Sequence, residues 1–101
     1  MITADFSVVP IGTNVTDLGK YVSVAVQAIK DSGLNYKLTG MGTQIEAENL
    51  DELYGAIKSA QKTVFDLGAD RVFTILKIDD RKDKKDRGLD DKIFTVKEML
   101  K

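Results

Sequence analysis

The sequence predicts an α+β sandwich in which a four-stranded antiparallel sheet carries two helices on one face, followed by a third helix near the C-terminus. Three observations lead to this fold class. Segments at both ends and in the middle alternate apolar and polar residues with the period of a half-buried strand. Two longer segments between them repeat apolar residues at helical spacing. Glycine-bearing turns separate the segments.

The first strand and first helix are predicted from the N-terminal third. Residues 2–9 alternate, with Ile2, Ala4, Phe6 and Val8 on one face and Thr3, Asp5, Ser7 and Val9 on the other. Pro10 is expected to end the strand because proline cannot donate a ladder hydrogen bond. Thr16 and Asp17 are expected to cap a helix that stops at Gly33. Its apolar face contains Leu18, Tyr21, Val22, Ala25, Val26 and Ile29.

A hairpin and a second helix follow. Residues 35–39 and 43–48 are short alternating strands, joined by Gly40-Met41-Gly42, whose glycines are expected to supply unusual backbone angles. Asn49 or Asp51 can cap the second helix, and Gly68 lies just beyond its end. Residues 71–78 form the last strand. The order β-α-β-β-α-β is that of a ferredoxin-like sandwich.

The sheet face opposite the two helices is predicted to be mixed in character. Thr3, Asp5 and Ser7 share it with Phe73 and Ile75. Monomers seldom expose contiguous apolar patches, so one interpretation is contact with another subunit around a polar pocket. The other interpretation, a solvated face with scattered apolar residues, is equally compatible with the composition.

The segment from Asp79 to Lys92 is charged throughout except for Gly88 and Leu89. Such a run favours a solvated loop over a phosphate-binding role for its basic residues, because the signs alternate. Those residues are Arg81, Lys82, Lys84, Lys85 and Arg87. From Asp90 or Asp91 onward, Ile93, Val96, Met99 and Leu100 recur as one face of a terminal amphipathic helix.

Length and composition restrict the function classes. The 101 residues, 43% of them hydrophobic, fit one domain spanning residues 1–101. Lys and Arg number 15 against 16 Asp and Glu, a balance that argues against a nucleic-acid surface. No segment approaches the about 20 apolar residues of a membrane span, so no membrane association is expected. The absence of Cys is compatible with a reducing cytoplasm, the expected location.

The side-chain inventory favours holding a ligand over transforming one. With neither His nor Cys, the chain lacks the commonest catalytic and metal-ligating groups. A Ser7–Lys77 pair on adjacent strands is a weak candidate for a nucleophile and base. Asp5 and Glu46, if they face each other, suit a cation better than glycoside hydrolysis, since so small a chain offers no cleft for a polymer. No catalytic residue, metal site or cofactor is predicted.

Short segments throughout the chain carry a family resemblance by their order and spacing. They are Met1-Ile2-Thr3-Ala4, Val9-Pro10-Ile11-Gly12-Thr13, Tyr21-Val22, Ser32-Gly33-Leu34-Asn35-Tyr36, Met41-Gly42-Thr43-Gln44-Ile45-Glu46, Arg71-Val72, and Lys77-Ile78-Asp79-Asp80-Arg81 with Lys92. In these segments the chain resembles the small thiamine-binding proteins related to the YkoF-like family. The resemblance implies a ferredoxin-like fold assembled as dimers and tetramers through sheet edges and faces. It also implies that thiamine or its hydroxymethylpyrimidine moiety binds at a subunit junction.

Carried over by position, the resemblance nominates seven ligand-binding residues. They are Ser7, Gly12, Thr13, Thr43, Glu46, Asp79 and Arg81. The family's Glu-Gly pair appears here as Glu46-Ala47, so Ala47 is expected to narrow the approach of a ligand.

The chemistry of thiamine agrees with this set of residues. The carboxylates of Glu46 and of Asp5 or Asp79 can offset the thiazolium charge, and the hydroxyls of Ser7, Thr13 and Thr43 can bond the ring edge. Phe73, Tyr36 or Met41 can pack against the ring.

Three function classes follow. The first is a non-catalytic homo-oligomer, dimer or tetramer, that binds thiamine or a related pyrimidine. The alternative is an oligomeric regulatory or scaffold module that binds another small ligand or contacts a protein through residues 80–92. An enzyme is the weakest interpretation because no nucleophile accompanies the carboxylates and lysines.

Overall fold

The computed structural model describes residues 1–100 and has the predicted ferredoxin-like α+β architecture. Its sheet is antiparallel and four-stranded, in the order β2-β3-β1-β4. The elements are β1 (Ile2–Ile11), α1 (Gly19–Asp31), β2 (Tyr36–Leu38), β3 (Thr43–Ala47), α2 (Leu50–Asp66), β4 (Arg71–Asp80) and α3 (Leu89–Met99). No helix in this part of the chain is long and apolar enough to cross a membrane.

The hydrophobic core lies between the sheet and the helices α1 and α2. The even-numbered residues of β1 point into it, as the alternation predicts, and Phe6 is 2% exposed. Ile29 of α1 and Leu53 of α2 are fully buried against them. We call this side of the sheet the core face and the opposite side the outer face.

Pro10 does not end β1, contrary to the sequence-based expectation. The strand continues to Ile11, and Pro10 lies opposite Val72 of β4. The pairing of β1 with β3 stops at Phe6, so the second half of β1 has a neighbour only on its β4 side. A strand segment with one open side tolerates a residue that lacks an N–H group.

The helices begin and end largely where capping signals predict, with one correction. Asn49 caps α2, and its side chain accepts a hydrogen bond from the Glu52 N–H. Thr16 and Asp17 do not cap α1, which begins at Gly19 after Leu18. The Asp17 carboxylate instead accepts from the Gly19 N–H at 3.1 Å, which forms a local turn before the helix. Gly33 follows α1 with φ of 82°.

The Gly40-Met41-Gly42 turn does not use left-handed backbone angles. Among residues 1–100 the glycines with positive φ are Gly12, Gly33 and Gly68. Gly42 is required for space instead, because a Cβ atom there would lie 2.7 Å from Asp5 Oδ1 and 3.0 Å from the Phe6 carbonyl oxygen. The turn therefore packs directly against β1.

The outer face carries the side chains that the alternation places there. Val9 lies opposite Phe73, and Ser7 lies opposite Ile75. Phe73 and Ile75 are each about half exposed. Helix α3 covers the other end of this face, contacting β3 near Glu46, and none of its residues is buried.

Candidate functional site

A groove lies along the open side of β1, where β3 no longer pairs with it. Its volume is about 280 Å³. Three parts of the chain form its walls: residues 6–9 of β1, one side of α1, and the turn between β2 and β3. The α1 side is apolar and consists of Leu18, Val22, Ala25 and Val26. This combination of concave shape, apolar walls and a few polar groups is typical of small-molecule sites.

Two of the predicted ligand-binding residues, Ser7 and Thr43, line this groove. Ser7 lies on β1 just past the last pair with β3, with its side chain on the outer face. Thr43 begins β3 opposite Phe6 and is 4% exposed. Both residues therefore lie where the two strands separate, with the Ser7 side chain on the outer face and the Thr43 side chain on the core face beside Phe6.

The turn between β2 and β3 forms the rim of the groove. Met41 is 92% exposed and lines the groove, whereas Phe73 and Tyr36, the other aromatic or thioether candidates, do not. The α1 wall was not nominated from the sequence. Its residues have the same spacing as core positions. They line a groove because β3 begins at Thr43, opposite Phe6, and does not cover the rest of β1.

The carboxylate of Asp5 lies beside the rim, on the outer face. Its Oδ1 atom would lie 2.7 Å from a Cβ atom at Gly42, and Gly42 lines the groove. Asp5 lies opposite Gln44, whereas Glu46 lies opposite Thr3, so Asp5 and Glu46 are diagonal rather than facing. Within residues 1–100 no group of acidic side chains has the arrangement of a metal site.

Glu46 and Asp79 lie at the far end of the outer face, where α3 begins. Both are opposite Thr3, four residues along β1 from Ser7, which is about 13 Å at the usual strand rise. Glu46 Oε1 accepts a hydrogen bond from the Leu89 N–H at 3.4 Å. Asp79 accepts one from Lys92, and this bond lowers the pKa of the Asp79 carboxyl below its ordinary value. Both carboxylates therefore hold α3 on the sheet.

The remaining predicted residues lie apart from the groove. Gly12 and Thr13 are in the turn after β1, where the Thr13 hydroxyl donates to the Val15 carbonyl at 3.3 Å. Arg81 pairs with Asp83, which raises the pKa of the guanidinium and lowers that of the carboxyl. Of the seven predicted residues, only Ser7 and Thr43 therefore line the groove.

Ala47 does not narrow the groove. It is 3% exposed and points to the core face, opposite Ile2. Its methyl group is therefore part of the core and lies away from the groove lining.

A larger cleft, of about 600 Å³, lies on the other side of the helix layer, between α1 and α2. Val24, Ala28 and Leu67 form its apolar part, and Asp31 and Asp66 are at its edge. None of the predicted ligand-binding residues lines it. The smaller groove is the stronger candidate because it is lined by the open edge of β1, by the hydroxyl-bearing residues Ser7 and Thr43, and by the apolar side of α1.

The chain is thus a ferredoxin-like α+β domain with a groove of about 280 Å³ beside the part of β1 that β3 does not cover. Comparison with known proteins then places the chain in a family: it belongs to the thiamine-binding protein family, whose model matches residues 4–97. A UPF0045 protein of Methanothermobacter thermautotrophicus is 53% identical over 99% of this chain and 100% of its own. The UPF0045 protein YqgV of Bacillus subtilis is 36% identical, covering 99% of this chain and 98% of its own.

Solved structures share the fold. The hypothetical protein MJ1052 of Methanocaldococcus jannaschii superposes with a TM-score of 0.86 at 36% identity, covering 96% of each chain. A putative thiamine biosynthesis/salvage protein of Thermotoga maritima superposes with a TM-score of 0.79, covering 94% of this chain and 97% of that one. Its identity is 20%, so this likeness concerns the fold alone.

Proposed function

We propose that this protein is a non-catalytic homo-oligomer that binds thiamine or its hydroxymethylpyrimidine moiety in the groove beside β1. The observation that carries the proposal is the convergence of Ser7, Thr43 and the apolar side of α1 on one cavity of about 280 Å³. Membership of a family named for thiamine binding supports the choice of ligand.

The chemistry of the pyrimidine ring fits the groove. The ring is flat and has two apolar faces, which suit the α1 wall and the thioether of Met41. Its edge carries nitrogen acceptors and an amino group, which suit hydroxyl groups because a hydroxyl both donates and accepts. Ser7 and Thr43 stand on the two strands that meet at the closed end of the groove.

Asp5 is the carboxylate best placed to offset the thiazolium charge of thiamine. Its Oδ1 atom lies against Gly42 at the rim, whereas Glu46 and Asp79 are engaged by α3. A ring system that enters with the pyrimidine in the groove extends its thiazolium toward this rim. Attraction between opposite charges there favours thiamine over a neutral analogue.

The outer face supports the oligomeric part of the proposal. Val9 and Phe73 are direct cross-strand neighbours, Ile75 follows on β4, and all three are between 39% and 51% exposed. A contiguous apolar patch of this kind is usually covered in solution. A second copy of the chain is the proposed cover, and it would bring its own outer face close to Asp5 and Ser7.

Isothermal titration of the purified oligomer with thiamine and with hydroxymethylpyrimidine tests the proposal. We expect saturable binding that Thr43→Val weakens about three- to tenfold, because the substitution keeps the shape and removes one hydrogen-bonding group. Thr63→Val is the matched control, since Thr63 lines the cleft between α1 and α2.

Equal weakening of binding by the two variants would contradict binding in the groove. If neither ligand gives a binding signal with an intact oligomer, thiamine binding is contradicted, and another small ligand or a protein partner becomes the better proposal.

A further inference from the structure

The direction of the β1 backbone can be read from the ladder. The Glu46 N–H donates to the Asn35 carbonyl at 2.9 Å, so the Glu46 backbone faces β2. Backbone direction alternates along a strand, and Ile45 therefore faces β1, where it lies opposite Ala4. Ala4 and Phe6 in turn direct their N–H and C=O groups toward β3.

The same alternation continues along β1 beyond Phe6, where the pairing with β3 stops. The pairing of β1 with β4 runs without a break in register from Ile2 to Ile11, so Val8 and Pro10 face the same side as Phe6. No strand lies on that side beyond Phe6. This direction also explains why Pro10 is tolerated, because its ring nitrogen faces away from β4.

Val8 therefore presents an N–H donor and a C=O acceptor, side by side, to the groove that it lines. The Val8 side chain belongs to the core, so the backbone is the part of the residue that can face the groove. Backbone groups at an open strand edge bond water until another partner replaces it. A ligand with a matching donor and acceptor can take the place of that water.

Two kinds of occupant match a strand edge: another strand, or a flat heterocycle with an acceptor beside a donor. Pro10 disfavours the strand, because the next residue facing the open side has no N–H and the ladder would stop after one residue. A heterocycle needs one donor and one acceptor only, which Val8 supplies.

We propose that Val8 recognises a 4-aminopyrimidine edge, its N–H donating to ring nitrogen N3 and its C=O accepting from the exocyclic amine. This inference rests on the proposed function and specifies which part of the ligand is recognised. Specificity for the aminopyrimidine would then come from main-chain atoms of Val8, which no side-chain motif in the sequence reveals. The ring nitrogen N1, on the far edge, has no part in this contact.

Ligand analogues test the contact without altering the protein. Replacing N3 of hydroxymethylpyrimidine by C–H removes the acceptor, and we expect about a tenfold loss of affinity or more. Replacing N1 by C–H leaves the Val8 contact intact and is the matched control, with an expected loss smaller than that of the N3 analogue. An N3 analogue that binds as well as its parent would overturn the inference.

Amide hydrogen exchange at Val8 gives an independent readout. Saturation with hydroxymethylpyrimidine is expected to slow exchange of the Val8 amide at least about tenfold, as formation of a hydrogen bond requires. The Val9 amide, which faces β4, is the internal control and is expected to be protected in both states.

The outcomes separate this inference from the proposed function. Binding without added protection of Val8 overturns the inference and leaves the proposed function standing. A Val8 amide already protected in the free oligomer also overturns it, because a strand of another copy would then occupy the edge. If no ligand binds at all, both the inference and the proposed function are contradicted.

Discussion

Gly40 and Gly42 belong to one turn but have different reasons to be glycine. A Cβ atom at Gly40 meets nothing within 4 Å, whereas one at Gly42 would lie 3.0 Å from the Phe6 carbonyl oxygen and closer still to Asp5. Neither residue has a positive φ. The close approach of the turn to β1, which shapes the rim of the groove, therefore depends on Gly42 alone.

Gly42→Ala is expected to lower the free energy of unfolding by about 1–3 kcal/mol, because the backbone of Phe6 cannot move aside without disturbing the sheet. Urea denaturation measures the change. Gly40→Ala is the matched control and is expected to stay within about 0.5 kcal/mol of the parent. Equal losses for both variants would contradict the packing argument.

Asp5 offers a test of charge at the same rim. Asp5→Asn is expected to weaken thiamine binding about two- to fivefold, because a partly exposed carboxylate contributes modestly to binding a cation. Binding of hydroxymethylpyrimidine, which is neutral, is expected to stay unchanged. Titration calorimetry measures the affinity of each ligand for the parent and the variant. An equal loss of affinity for both ligands would mean that Asp5 acts through the fold rather than through its charge.

At the scale of the elements, α3 is held by polar contacts rather than by a core. Its apolar residues are exposed, including Phe94 at 64% and Met99 at 74%. The contacts that dock it are the Glu46–Leu89 hydrogen bond and the Lys92–Asp79 ion pair, with Gly88 fitting closely against the Glu46 carboxylate. Such an element is expected to open more readily than α1 or α2.

The docking of α3 is expected to depend on pH through Asp79. The hydrogen bond from Lys92 lowers the pKa of this carboxyl below its ordinary value of 3.8. A carboxyl whose pKa is lower in the folded state stabilises that state above its ordinary range, and the contribution disappears as the pH falls through the folded value. Carbon-13 titration of the Asp79 carboxyl is expected to give a midpoint below 3.8.

Lys92→Met is expected to move that midpoint back toward 3.8, although Arg81 continues to favour the charged form. Lys62→Met is the matched control, since Lys62 pairs with Asp66 on α2. A midpoint that stays the same without Lys92 would show that the ion pair does not form in solution.

The elements were predictable from the sequence wherever local chemistry decides them. Alternation placed the outer face correctly, and Asn49 marked the start of α2. The expectation for Pro10 was wrong because tolerance of proline there depends on where β3 begins, at Thr43 opposite Phe6, and residues 2–11 alone do not reveal this. The expectation for the turn glycines was wrong because position 42 needs glycine for its close contact with Phe6 and not for an unusual backbone angle.

The candidate site was less predictable. Ser7 and Thr43 came from the family resemblance, and the structure brings these two together. The α1 wall and the Val8 backbone carry no sequence signal, because apolar helix positions and main-chain groups look alike wherever they occur. Glu46 and Asp79 contact α3 and do not line the groove, and their nomination as ligand-binding residues stays a prediction.

At the scale of the whole molecule, the proposed homo-oligomer buries the outer face of each copy. Phe73→Lys is expected to weaken self-association about tenfold or more, because it removes a large apolar side chain from the contact and adds a charge. Light scattering across micromolar concentrations measures the change. Phe65→Lys is the matched control, since Phe65 is 43% exposed on α2. A parent protein that is monomeric at these concentrations would contradict the oligomeric part of the account.

Methyl NMR of the protein titrated with hydroxymethylpyrimidine locates the ligand and so tests the proposed groove most directly. Saturable shifts are expected at Val22, Ala25 and Met41, which line the groove beside β1. Shifts confined to Val24, Ala28 and Leu67, in the cleft between α1 and α2, would contradict it. So would the absence of any shift at millimolar ligand.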